Sequence, residues 1–137
     1  MNYVFDSSFV GAIIIPDEKN PNVDRVRAGI GEEEGIFVPH LLWYEITNVF
    51  KNLIRRRRFS NDEVTQLFPQ LSAIRLTTDY ESGTEYSKKL LRLCNDYNLS
   101  AYDAAYLELA ERKNAVLCTL DEGLRAAAKK YGVQVMK

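Results

Sequence analysis

Residues 3–15, YVFDSSFVGAIII, pass from a short β-rich run at 3–5 straight into a helix-period stretch at 7–15, with one acid, Asp6, at the junction. Residues 115–128, AVLCTLDEGLRAAA, repeat the arrangement: a strand-like run at 115–119, then Asp121, then a helix beginning at Glu122. Further β-rich segments at 36–38, 74–76 and 133–136 alternate with longer apolar stretches of helical period. Parallel neighbours in a sheet need a crossover connection, usually a helix, so this rhythm predicts an α/β fold with a central, mainly parallel sheet. In such a sheet the strand C-termini share one edge, where ligands bind. Asp6 and Asp121 are therefore expected on one rim.

Helical periodicity places helices at 7–15, 22–33, 41–57, 61–70, 82–96, 101–113 and 122–131. The last is stopped by Gly132, and the one at 61–70 is capped by Ser60. Pro16, Pro21 and Gly35 punctuate the first third as loop breaks rather than linkers. The 137 residues suit a single domain spanning 1–137, and 46% hydrophobic against 27% charged residues is the balance of a folded soluble chain. The formal charge of -1 excludes nucleic-acid binding driven by an overall positive field, so any such contact needs a local patch. Cys94 and Cys118 lack the spacing of a disulfide or zinc framework and read as reduced core residues of a cytoplasmic protein. The apolar run at 9–15 is far too short to cross a membrane, and Asp6 stands where an export signal would be basic.

Four acids carry the chemistry. Asp6 and Asp121 each admit a plain explanation, since Asp at a strand-to-helix junction accepts from the free N–H groups of the helix. Asp103 follows Ser100 in a pattern that matches a capping box. Glu45 has no such role. It lies on the edge of the stripe formed by Leu41, Leu42, Ile46, Val49, Leu53 and Ile54, where a carboxylate needs a partner. Burial and mutual repulsion push such groups to take up protons or bind a cation. An all-oxygen set suits Mg²⁺ or Mn²⁺, ions that leave positions open for a substrate phosphate. Metal-assisted attack of water on a phosphodiester is the chemistry that follows.

Four blocks, VFDSS at 4–8, PHLLWYEITNVF at 39–50, LSAYDAAYLELA at 99–110 and LCTLDEGLRAAA at 117–128, together resemble PIN domains, most of all the VapC-type toxins of toxin–antitoxin pairs. The resemblance spans nearly the whole chain. It implies a three-layer α/β/α sandwich and Mg²⁺- or Mn²⁺-dependent cleavage of RNA, with Asp6, Glu45, Asp103 and Asp121 at the four acidic positions of the family. Ser8 and Thr119 match the hydroxyl residues that organise the site. A homodimer and a cognate antitoxin partner are implied in the same way, with Trp43 or Tyr44 in the groove that receives the antitoxin.

The run Arg55-Arg56-Arg57-Arg58 closes the helix that carries Glu45 and is the one strong basic patch. It either contacts RNA phosphate or complements the helix dipole in solvent. Trp43, Tyr44 and Phe50 either fill the core or stay exposed for a partner. His40, the sole histidine, reads as a helix-terminus residue rather than a member of a Ser-His-Asp triad. A phosphotransfer domain with Asp6 as nucleophile would want a second acid two residues on, where Ser8 stands. The remaining alternatives are a PIN nuclease of RNA maturation and a non-catalytic PIN-like binding module.

Overall fold

A computed structural model describes residues 1–137. The chain runs β1 (Asn2–Phe5), α1 (Ser7–Ile14), a single 3-10 turn (Pro16–Glu18), α2 (Pro21–Ala28), β2 (Gly35–Pro39) and α3 (Leu41–Arg55). It continues through α4 (Asn61–Thr65), α5 (Leu67–Ala73), β3 (Thr77–Asp79), α6 (Thr84–Tyr97), α7 (Ala101–Arg112), β4 (Ala115–Cys118) and α8 (Glu122–Tyr131). The four strands form one sheet in the order β3-β2-β1-β4, and every pairing is parallel.

Side chains on successive strand residues point to opposite faces, and here both faces are covered. Phe5, Ile36, Val38, Val116 and Cys118 pack with α1, α2, α3 and α5 in one apolar layer. Val4, Ala115 and Leu117 pack with α6, α7 and α8 in the other. The result is the expected three-layer α/β/α sandwich, and α7 is buried from Ala104 to Ala110 because it lies flat on the sheet. No helix is long and apolar enough to cross a membrane. Both cysteines are free, and burial, then the charge of Asp6, pushes the Cys118 thiol up to about 12, leaving it inert as a nucleophile.

The end of β3 is fastened to the α6–α7 layer by ions. Arg112 donates to both oxygens of Asp79 at 2.9 and 2.7 Å and to both oxygens of Glu108 at 2.9 and 3.0 Å. Glu108 is only 2% exposed and also accepts from Lys89 at 3.1 Å. A carboxylate so buried is tolerated because each of its oxygens is paired.

Four elements differ from the expectations. The helix expected at 61–70 is two helices, because Pro69 has no N–H for the carbonyl of Thr65, and α5 then runs on to Ala73. The strand expected at 74–76 begins instead at Thr77; Ile74 and Leu76 are loop residues whose apolar side chains dip into the core. Residues 133–136 form no full strand but a single parallel bridge, Leu117 to Val135, on the outer edge of β4. The helix expected at 22–33 also stops early, at Ala28. The Gly29 N–H closes onto Arg25 and Val26, and Glu34 turns back to accept from Gly31.

Candidate active site

All four acids stand at the C-terminal edge of the sheet. Asp6 follows β1 directly, Asp121 follows β4, Glu45 sits in the early turns of α3 after β2, and Asp103 lies in the first turn of α7. Asp6 is 5% exposed and is the most confined of them. Its Oδ1 accepts from the Phe9 N–H at 2.9 Å, capping α1, and from Ser8 Oγ at 2.7 Å. Its Oδ2 accepts from Thr119 Oγ1.

The two hydroxyls tie β1 to the chain after β4. Ser8 Oγ, while donating to Asp6, accepts from the Leu120 N–H at 3.0 Å. Thr119 Oγ1, buried at 1% exposure, likewise accepts from the Asp121 N–H at 3.0 Å. Asp121 in turn accepts from Leu124 N–H at 3.0 Å and caps α8. The capping explanation therefore holds for Asp6 and Asp121, and it coexists with their shared location, because a capping carboxylate keeps lone pairs to spare.

Asp103 and Glu45 cap nothing. Ser100 accepts from the Asp103 N–H at 3.1 Å, but the reciprocal half of the capping box does not form, so the Asp103 carboxylate is uncommitted. Glu45 is half-buried on the edge of the α3 stripe, where Leu42, Ile46, Phe50 and Leu53 are buried. Its one strong partner is Tyr106, whose hydroxyl donates to Oε1. Tyr106 is 1% exposed, and burial followed by the Glu45 bond holds its phenol far above its usual range, so it remains a donor. No role was assigned to Tyr106 from the sequence. Its spacing of three residues from Asp103 on one helix face was the available signal.

The acids sense one another. Burial raises the pKa of Asp6 above the ordinary carboxylate value, against the pull of Ser8, Thr119 and Phe9, and the charge of Asp121 adds to the rise. Burial likewise raises Glu45, opposed by Tyr106 and reinforced by Asp103 and Asp6. Asp103 is raised by burial, then by Asp121 and Asp6. Of the two expected causes, burial and mutual repulsion, burial leads in all three. No three of these groups, or of any His, Cys, Asp and Glu, are gathered tightly enough to hold one ion between them. The oxygen-only donor set still fits Mg²⁺ or Mn²⁺, because such ions are commonly held by one or two carboxylates, with water and substrate phosphate completing the shell.

The arginine run does not act as one patch. Helix α3 ends at Arg55, Arg57 takes a left-handed backbone at φ 58°, and the chain turns so that Arg58 reaches Asp17 at 2.5 Å and Glu18 at 3.1 Å. Arg58 is thus paired within the protein, while Arg55, Arg56 and Arg57 are exposed. Phe50 is core, and Trp43 is partly buried with its Nε1–H donating to Thr78 Oγ1 at 2.9 Å, but Tyr44 is 66% exposed. His40 is the residue before α3, its ring against Tyr44 and Tyr80.

The PIN domain family model matches residues 3–130. Among curated proteins the chain is similar to ribonuclease VapC3 of Pyrobaculum aerophilum, 27% identical over 124 residues, which cover 90% of this chain and 92% of that one. Among solved structures it is similar to PAE2754 of the same organism, with a TM-score of 0.70 and 21% identity over 98% of this chain and 83% of the other. VapBC2 of Rickettsia felis, solved with a DNA fragment of its promoter, gives a TM-score of 0.68 at 15% identity over 100% of this chain and 98% of that one.

Proposed function

Because the chain belongs to the PIN domain family, we propose that it is a divalent-metal-dependent endoribonuclease, one PIN domain spanning residues 1–137, and the toxin of a toxin–antitoxin pair. The observation that carries the reading is Glu45: a half-buried carboxylate with no capping role that feels the charges of both Asp103 and Asp6 at the edge where ligands bind. A cluster that is costly when ionised and empty is one a cation stabilises. The similarity to ribonuclease VapC3 supports RNA as the substrate and that to VapBC2 an antitoxin as partner, while the two free cysteines accord with the reducing cytoplasm.

One or two of Asp6, Glu45, Asp103 and Asp121 would contact the ion, Mg²⁺ or Mn²⁺, directly, and the others would reach it through water. When bound it supplies charge neutralisation and polarisation of a phosphate oxygen. The chain's own residues do the positioning. Ser8 and Thr119 fix both oxygens of Asp6 and, through Leu120 N and Asp121 N, set the loop after β4 against it. Tyr106 fixes Glu45 from beneath, and Asp103 keeps its lone pairs free. Arg55, Arg56 and Arg57 are the arginines of the run left to meet flanking phosphates, about 15 Å along α3 from Glu45 at the helical rise per residue. A homodimer belongs to the same reading.

A non-catalytic PIN-like module would need its acids only as caps, which Glu45 and Asp103 are not. A nuclease of RNA maturation shares the chemistry and differs in partner. The test is to incubate antitoxin-free protein, and an Asp6→Asn, Asp103→Asn double variant, with total RNA in Mg²⁺, in Mn²⁺ and in EDTA. Metal-dependent cleavage by the unmodified protein alone is the expected result. Cleavage that survives in the folded double variant refutes the four-acid assignment.

A further inference from the structure

Tyr44, Tyr80 and Tyr102 are 66%, 71% and 64% exposed, unusual for large rings, and all three lie on the rim that carries the acids. Two of them immediately precede one of the four site acids: Tyr44 stands before Glu45 on α3, and Tyr102 before Asp103 on α7. A cavity of about 400 Å³ is lined by Tyr44, Tyr102 and Glu45 together, with Leu41 and Asn48. On the other side of Tyr44 the His40 ring lies edge-on at 5.5 Å between centroids and 5.1 Å from Tyr80, which extends the aromatic surface toward the end of β3.

Such a surface offers π-faces rather than charge. The chain's net charge is -1, and Arg58, Arg112 and Lys89 are each paired with carboxylates. Stacking on exposed aromatic rings needs no positive field but does need bases out of a duplex, since paired bases keep their faces in the helix. Continuity of the rings with Glu45 in one cavity ties the surface to the acids rather than to a separate partner site.

We propose that Tyr44 and Tyr102 form a base-stacking subsite that holds an unpaired nucleotide of RNA beside the acidic cluster, with His40 and Tyr80 receiving the next base. This rests on the reading of the chain as a ribonuclease. Stacking sets which phosphodiester lies over the acids, so the subsite acts on positioning as well as affinity.

The experiment measures binding without cleavage: a short single-stranded RNA carrying one 2-aminopurine, titrated in EDTA with the full chain and with Tyr44→Ala, Tyr102→Ala and the corresponding Phe variants. Base stacking of about one to three kcal/mol per ring converts to a loss of roughly fivefold to 150-fold in affinity for each Ala variant, with loss of the fluorescence quench. The Phe variants keep both, a duplex of the same sequence gives no quench, and the dependence on salt is shallow. Two results overturn the subsite. One is unchanged binding and quench in both Ala variants. The other is Ala variants that become smaller by sedimentation, which makes the rings a surface between two copies of the chain. Cleavage of total RNA in Mg²⁺, followed in parallel, separates the two readings. Normal cleavage with ring-independent binding removes the subsite alone, and ring-dependent quench without any cleavage removes the nuclease alone.

Discussion

Replacing Thr119 by Val removes one hydroxyl and leaves the shape of a 1%-exposed side chain nearly unchanged, so no cavity complicates the outcome. Two hydrogen bonds go: the donation to Asp6 Oδ2 and the acceptance from the Asp121 N–H. Asp121 is exposed, so water replaces the second bond at little cost. The first is made to a buried carboxylate that keeps Ser8 and Phe9 as donors, and a bond to a charged group contributes roughly 1.5–3 kcal/mol. The expected destabilisation is about 2 kcal/mol at about pH 8, which lowers the urea midpoint by about 1 M at a typical slope for this size. The Thr119 bond favours ionised Asp6, so its contribution is full where that carboxylate is charged. It declines as pH falls through the folded pKa of Asp6, which burial holds above the ordinary value. At about pH 4 the deficit should therefore shrink to that of a neutral hydrogen bond, about 1 kcal/mol. Urea denaturation of both proteins in EDTA at the two pH values measures this. An equal deficit at both, or none at the higher pH, refutes the account of how Asp6 is held.

Tyr106→Phe keeps the buried ring but leaves Glu45 without its strong donor; cleavage is expected to fall about tenfold with the urea midpoint little changed, and full activity would remove Tyr106 from the site. Asp103→Asn should stabilise the metal-free protein at neutral pH. The folded-state pKa of Asp103 is raised, so its ionised form costs stability above that pKa and costs nothing below the unfolded value of about 3.8. The gain should vanish in acid, and a loss of stability at neutral pH contradicts the electrostatic picture. Arg112→Met strands Glu108 and Asp79 and is expected to cost about 3–5 kcal/mol, whereas Arg58→Ala on the exposed Asp17 and Glu18 should cost far less, because solvent screens that pair. Thermal melts that rank the two in the opposite order would show that the fastening of β3 is not where stability resides.

Local chemistry made much of this protein readable before any coordinates. The runs at 3–5 and 115–119 are apolar and β-rich, each is followed by an acid and then a helix, and only a parallel sheet accommodates that rhythm, so fold class and the common rim of Asp6 and Asp121 followed from the chain alone. The split at Pro69 was also present in the sequence, since a proline without an N–H interrupts any helix drawn across 61–70. The displacement of β3 to Thr77–Asp79 was not: Ile74 is buried and Leu76 partly buried from a loop, and burial of that kind imitates a strand.

For the site, the residue types were legible and their relations were not. Sequence marks Glu45 as an acid on an apolar edge, but only folding brings the Tyr106 hydroxyl to it from 61 residues away. The same holds for Thr119 and Asp6, 113 residues apart in the chain. The arginine run reads as one patch until the left-handed turn at Arg57 delivers Arg58 to Asp17. Capping, periodicity and turn chemistry act between near neighbours, and a sequence states them directly. Burial, hydrogen bonds across the sheet and the pairing of charges depend on where the layers place distant residues, and only the tertiary structure decides that.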